Sequence, residues 1–239
     1  MSRESTLETL YPFLHGQTQD ADALAQGLRE SLRQKADESV ATKRRFFEDN
    51  AEAVIAVAEA IAAVYRDDGR LFTMGNGGSS CDAAHIAVEF QHPVTAGRPA
   101  LPAKNLTADI AVMTAVGNDV GFEHVYLRQI VAHGRPGDGL IGVSTSGNSA
   151  NLMAAFDKAK AMGLTTIGLA GMDGGAMAKS ASLDHCLVVP SDSIHRIQEC
   201  HVAIYHILWD LVHTLLADRR GRLGTAVAGG ARASGEAAR

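Results

Sequence analysis

The sequence predicts an α/β fold: a three-layer αβα sandwich around a central, mostly parallel five-stranded sheet, with helices ahead of it on the chain. Two observations carry this expectation. From residue 70 onward, short apolar runs alternate with segments of helical periodicity, the order expected of a sheet covered by helices on both faces. Most of the runs place apolar residues at successive positions rather than at every second one, as suits parallel strands buried on both faces.

Taken in order, residues 19–66 are rich in Ala, Glu, Leu and Arg, with Val54, Ala58, Ile61 and Val64 at helical spacing. They read as two helices, the second ending before Asp67-Asp68-Gly69, and residues 1–66 as a helical arm packing on the core or on a neighbouring subunit. The predicted strands are 70–75 (RLFTMG), 101–107 (LPAKNLT), 139–144 (GLIGVS), 165–170 (TTIGLA) and 185–189 (HCLVV). Helical patterns separate them at 79–92, 109–133, 149–162 and 173–181, and a long amphipathic helix follows over 194–217. The core domain is placed at 67–218, and the small, polar, Gly-rich stretch 219–239 is expected to be disordered.

Composition excludes several classes. A net charge of -5 and a pI near 6.0 offer nothing to nucleic acid or an anionic membrane. No apolar stretch approaches the roughly 20 residues that span a bilayer. Cys81, Cys186 and Cys200 form no CxxC pair, so free thiols in a reducing cytoplasm are expected.

In a sheet of this kind, ligands bind beyond the carboxyl ends of the strands, where loops lead into helix N-termini. Two such loops stand out. Gly75-Asn76-Gly77-Gly78-Ser79-Ser80 follows the first strand, and its glycines let backbone N–H groups approach a ligand closely. No Gly-Lys-Ser/Thr follows, and Ser80 stands where a dinucleotide loop needs its third glycine. A plain tight turn and a phosphate cradle both fit it. The second loop, Ser144-Thr145-Ser146-Gly147-Asn148-Ser149, brings four hydroxyls to a helix N-terminus. A helix cap needs one hydroxyl, which Ser149 supplies, so four point to a phosphate monoester held by neutral donors and the helix dipole. Neither loop contains a lysine, which argues against a triphosphate with its magnesium.

The combination of GNGGS, STSGNS and RIQE entering the last helix resembles the sugar isomerase (SIS) family, and within it the phosphoheptose isomerase branch. The resemblance covers roughly residues 40–218, and VGNDVGF and GMDGGAMA fit it as well. It implies an aldose–ketose isomerase that converts sedoheptulose 7-phosphate to D-glycero-D-manno-heptose 7-phosphate in the cytoplasm, as a homotetramer with zinc bound. By the same resemblance Asn76, Gly77, Gly78 and Ser79 form the first substrate loop, and Asn118 and Asp119 make a second contact. Ser144, Thr145, Ser146 and Ser149 form the phosphate cradle. His85, Glu89, Gln198 and His206 match the zinc ligands, Gln198 also contacts substrate, and Glu89 and His206 match the acid–base pair.

Two positions depart from the pattern. His195 stands where an acid often precedes the RIQE arginine, and Pro93 stands where a basic residue is common four places after Glu89. They keep open an isomerase for another long-chain sugar phosphate, such as a C8 sugar. A second alternative is a sugar-phosphate-binding regulatory module that performs no chemistry.

His85 and Glu89, four residues apart, share one face of a helix. An enediolate mechanism needs a base for the carbon-bound proton and an acid or metal for the oxygen charge, roles that suit Glu89 and His206 or zinc. Gln198 and His206 are eight residues apart, about 12 Å along a continuous helix. Either the helix starts after Gln198, or the ligands come from different subunits. The apolar face Ile204, Ile207, Leu208 and Val212 favours a site shared between subunits, and Tyr205 and Trp209 are expected in the core or at that interface.

Overall fold

The computed structural model describes residues 21–95 and 97–217. The segments 1–20 and 218–239, and with them the tail expected over 219–239, lie outside the described residues. The chain divides between Ala41 and Thr42 into two units. In the first, helix α1 begins at Ala21 and exposes Leu24, Leu28 and Leu32.

Helix α1 runs on to Arg66, and its one non-helical residue is Asn50 (φ -125°, ψ 18°), whose amide donates to the Phe46 carbonyl at 2.9 Å. The two expected helices are thus one element with a break. In the second unit it is followed by β1 (Leu71–Gly75), α2 (Gly78–Gln91), β2 (Ala103–Asn105), α3 (Ile110–Asp119) and α4 (Val125–His133). Then come β3 (Gly139–Ser144), α5 (Ala150–Ala161), β4 (Thr165–Gly171), β5 (His185–Val189) and α6 (Ile194–Leu215). The five strands are all parallel in the order β2-β1-β3-β4-β5.

Alternate residues of each strand feed two cores, one on each face of the sheet. Leu71, Ile141, Val143, Ile167 and Leu169 pack with the second half of α1, with α2 and with α6. Phe72, Met74 and Leu140 pack with α4 and α5 through Tyr126, Ile130, Leu152 and Phe156. The predicted layers and the five-stranded sheet are therefore present.

Three expectations need correction. The helical pattern over 109–133 is broken by Gly121 at φ 107°, a conformation costly for any other residue. The stretch 173–181 holds a single turn of 3-10 helix, Met177–Lys179. It is held by distant bonds: Ala176 N–H donates to Asn148 Oδ1 at 2.9 Å and Met177 N–H to the Gly147 carbonyl at 3.0 Å. The apolar face of α6 serves mainly the chain's own core, because Ile204, Leu208 and Val212 are buried there and Ile207 alone of the four is exposed.

Strand order decides where a ligand can enter. The chain steps from β1 to β2 on one side and then crosses back to β3 on the other, so the loops leaving β1 and β3 part to opposite faces. Their ends lie side by side, since Gly75 pairs with Val143. These are the two loops singled out by composition.

Candidate active site

The first loop turns at Gly77, whose φ of 54° favours glycine, and α2 begins at the next residue. Ser79 and Ser80 N–H groups donate back to the carbonyls of Asn76 and Gly77, both at 3.0 Å. The Asn76 carboxamide exchanges two hydrogen bonds with Asn151 of α5, at 2.8 and 2.9 Å. Tyr126 donates to the Gly75 carbonyl at 2.5 Å and to Asn76 Oδ1 at 3.2 Å. Burial pushes the Tyr126 hydroxyl up to about 12, so it stays a donor. The amide pair ties the two loops together across the mouth of the sheet. Sequence reasoning does not single out Asn151 or Tyr126, whose partners lie far along the chain.

In the second loop the Ser144 and Ser149 hydroxyls lie 3.1 Å apart, and Ser144 Oγ accepts from Gly147 N–H at 3.1 Å. Ser149 occupies the N-cap of α5 but its side chain makes no capping bond. The hydroxyl is paired with Ser144 instead, so the plain capping role does not account for it. Gly147 has φ 65°, and a Cβ there would lie 2.0 Å from the Gly174 carbonyl oxygen. Ser146 Oγ accepts from Asn148 N–H at 3.3 Å, while Thr145 turns its carbonyl toward Gly171. The loop is thus braced from behind by residues 171–176.

Helix α2 leads from the first loop to His85 and Glu89, one turn apart and half-buried, with His85 Nε2 3.1 Å from Glu89 Oε1. Helix α6 packs beside it and supplies His206, whose ring lies 4.9 Å from that of His85. One ligand atom from each of His85, Glu89 and His206 lies within 4.8 Å of the others, all on one chain. Tyr205 and Trp209 face the same cluster. The Tyr205 hydroxyl is 2.8 Å from His85 Nδ1, and Trp209 Nε1–H donates to the Glu89 carbonyl at 2.9 Å. Arg98 stacks on Trp209 at 4.4 Å and pairs with Asp210 at 2.6 Å. Tyr205 and Trp209 are therefore supports of the cluster as well as core residues.

Electrostatics follow from burial. His206 is held below the ordinary histidine range by partial desolvation and by His85, against the pull of Glu89, which favours the neutral imidazole that ligates metals. Asp82, one turn before His85, is buried with Oδ2 unpaired, and burial raises its carboxyl to about 6 against the lowering effect of His85. Burial, with the charges of Asp82 and Glu89, raises the Tyr205 hydroxyl well above its usual value and keeps it protonated. Two imidazoles and a carboxylate form a nitrogen and oxygen set that suits zinc, and with Nδ1 of His85 bonded to Tyr205 it is Nε2 that faces Glu89.

Gln198 adjoins the start of α2. Helix α6 is continuous through Gln198 and His206, and a Cβ on Gly78 would lie 2.3 Å from Gln198 Nε2. Gln198 thus faces the first loop while His206 faces His85 and Glu89 further along α2. Asn118 and Asp119 end α3, exposed, and bond to each other at 2.8 Å; among the described residues no hydrogen bond joins them to the other walls. His195 is exposed in the first turn of α6, and Pro93 lies just beyond α2.

A SIS domain model matches residues 36–171, more than half of the chain. This chain belongs to the SIS domain family. Within that family it groups with the phosphoheptose isomerases. The protein of that name from Roseiflexus is 43% identical over 178 residues, which is 74% of this chain and 89% of that protein. The one from Sulfurimonas denitrificans is 49% identical over 156 residues, 65% of this chain and 79% of the relative. The solved phosphoheptose isomerase from Neisseria gonorrhoeae aligns with TM-score 0.73 and 37% identity, covering 78% of this chain and 99% of that one. This SIS chain therefore shares its fold with a solved phosphoheptose isomerase.

Proposed function

We propose that this chain isomerises sedoheptulose 7-phosphate to D-glycero-D-manno-heptose 7-phosphate. The observation that supports it best is the joining of two features by one helix: α2 starts in the loop beside the β1–β3 crevice and carries His85 and Glu89 to His206. A sugar phosphate bound in the crevice with its other end toward this cluster fits that layout.

In this reading the phosphate is held by hydroxyls of Ser144, Thr145, Ser146 and Ser149 and by N–H groups at the start of α5, with the helix dipole behind them. Asn76, Gly77, Gly78 and Ser79 line the facing wall, Gln198 contacts the sugar beside Gly78, and Asn118 and Asp119 make a further contact. Glu89 takes the carbon-bound proton and returns it to the neighbouring carbon. Neutral His206 accepts a proton from one sugar oxygen and returns it to the other. Zinc, held by His85, Glu89 and His206, would when bound stabilise the oxygen charge as a Lewis acid in place of proton transfer by His206.

The family resemblance supports a homotetramer and a cytoplasmic setting. Three free cysteines suit a reducing compartment, and no described helix is long and apolar enough to cross a membrane. Pro93 and His195 favour, as a second reading, a ketose phosphate of another length. The test is a panel of C5 to C8 ketose phosphates followed by NMR, before and after chelation. The expected result is C7 aldose formation that falls on chelation and returns with zinc. Faster turnover of a C8 sugar would select the second reading. No turnover of any sugar by folded, zinc-treated protein would leave a binding module.

A further inference from the structure

We propose that Tyr205 is a positioning residue whose hydroxyl lets His85 exchange its proton between ring nitrogens, so that Nε2 can turn from donor to metal ligand without the ring moving. The inference rests on the reading of His85 as a metal ligand. It starts from two contacts on opposite edges of one imidazole. Nδ1 lies 2.8 Å from the Tyr205 hydroxyl, and Nε2 lies 3.1 Å from Glu89 Oε1. The Tyr205 ring is itself fixed, being 4% exposed within the α6 core and edge-on to His85 at 5.2 Å.

A carboxylate oxygen accepts hydrogen bonds and does not donate them. With Glu89 facing it, Nε2 carries the proton, and Nδ1 accepts from the Tyr205 O–H. A cation at Nε2 requires that nitrogen's lone pair. The proton then leaves Nε2 and one is taken up at Nδ1, so His85 stays neutral and releases none overall. Nδ1–H now donates to the same Tyr205 oxygen, whose O–H turns away. A phenol serves as donor in one state and acceptor in the other. A carbonyl or carboxylate at this position would accept in both and would disfavour the metal-free pairing of His85 with Glu89.

The experiment uses full-length protein labelled with 15N-histidine, stripped by chelation and then titrated with Zn2+. Signals of His85 are assigned by their loss in His85→Gln. Wild-type protein is expected to show the Nε2–H form when stripped and the Nδ1–H form when zinc-loaded. Tyr205→Phe keeps the ring, and its thermal midpoint should stay close to wild type. Its zinc affinity, measured by competition with a fluorescent chelator, should fall about 10- to 100-fold. Its stripped His85 should lose the strong preference for one tautomer. Unchanged affinity and unchanged tautomer signals in Tyr205→Phe would overturn the inference. So would an Nδ1–H form in both wild-type states, a measurement that does not depend on the variant folding. If wild-type protein takes up no zinc, the metal reading itself fails, and this inference with it.

Discussion

Glu89 and His206 present ligand atoms within 4.8 Å of each other on a single chain, although 116 residues of sequence would allow any arrangement. Helices α2 and α6 lie side by side, so the proposed acid–base pair comes together within one chain. Inactive Glu89→Gln and His206→Ala proteins, unfolded and refolded together, are therefore expected to give hybrids that stay inactive. Each mixed oligomer would hold sites with one lesion or the other and none with neither. Recovery of activity in verified hybrids would show that the two residues act across subunits after all.

Glu89→Gln is close in size and keeps the side chain's hydrogen-bonding reach. It should fold with an unchanged thermal midpoint and bind sugar phosphate, yet turn over about 10²- to 10⁴-fold more slowly, the usual cost of losing a positioned general base. Steady-state kinetics on the preferred ketose phosphate reads this directly. A rate within a few-fold of wild type would remove Glu89 from proton transfer.

The parts of this molecule that were legible in its sequence share a physical cause. Strands buried on both faces read as unbroken apolar runs, and loops that open helices over a crevice keep their glycines and hydroxyls in short contiguous stretches. What escaped was set by distant partners. Asn151 acts through Asn76, 75 residues away, and Tyr205 through His85, 120 residues away. Neither leaves a local mark. The apolar face of α6 misled for a related reason: periodicity shows that Ile204, Leu208 and Val212 must be covered, not which surface covers them.

Gly78→Ala tests the opposition of the first loop and α6. The added methyl would lie 2.3 Å from Gln198 Nε2, the far end of a flexible side chain that can move away. The protein should fold, with Gln198 displaced from the loop. Losing one hydrogen bond to substrate corresponds to roughly a three- to tenfold rise in KM. Gln198→Ala should show a similar rise, and the double variant little more than either alone, since both remove one interaction. Fully additive effects would mean that Gly78 and Gln198 serve substrate independently.

The last prediction concerns His201, fully buried on α6, whose Nε2–H donates to the Ala170 carbonyl at 3.0 Å at the tip of β4. Nδ1 has no partner, and burial lowers the imidazole to about 4, against the raising effect of that carbonyl. An unfolded histidine titrates near 6.5, at about the value of a model peptide. Between these values the unfolded chain binds the extra proton and the folded one does not, so stability rises with pH across this window. The contribution is fully present above about 6.5 and is lost as pH falls toward 4, amounting to about 2 kcal/mol by pH 5. His201→Gln keeps an N–H for Ala170 but does not titrate. Urea unfolding should find the variant less stable than wild type at pH 7 and the gap narrowed by about that amount at pH 5. Parallel stability curves for the two proteins would show that His201 is not held neutral by the fold.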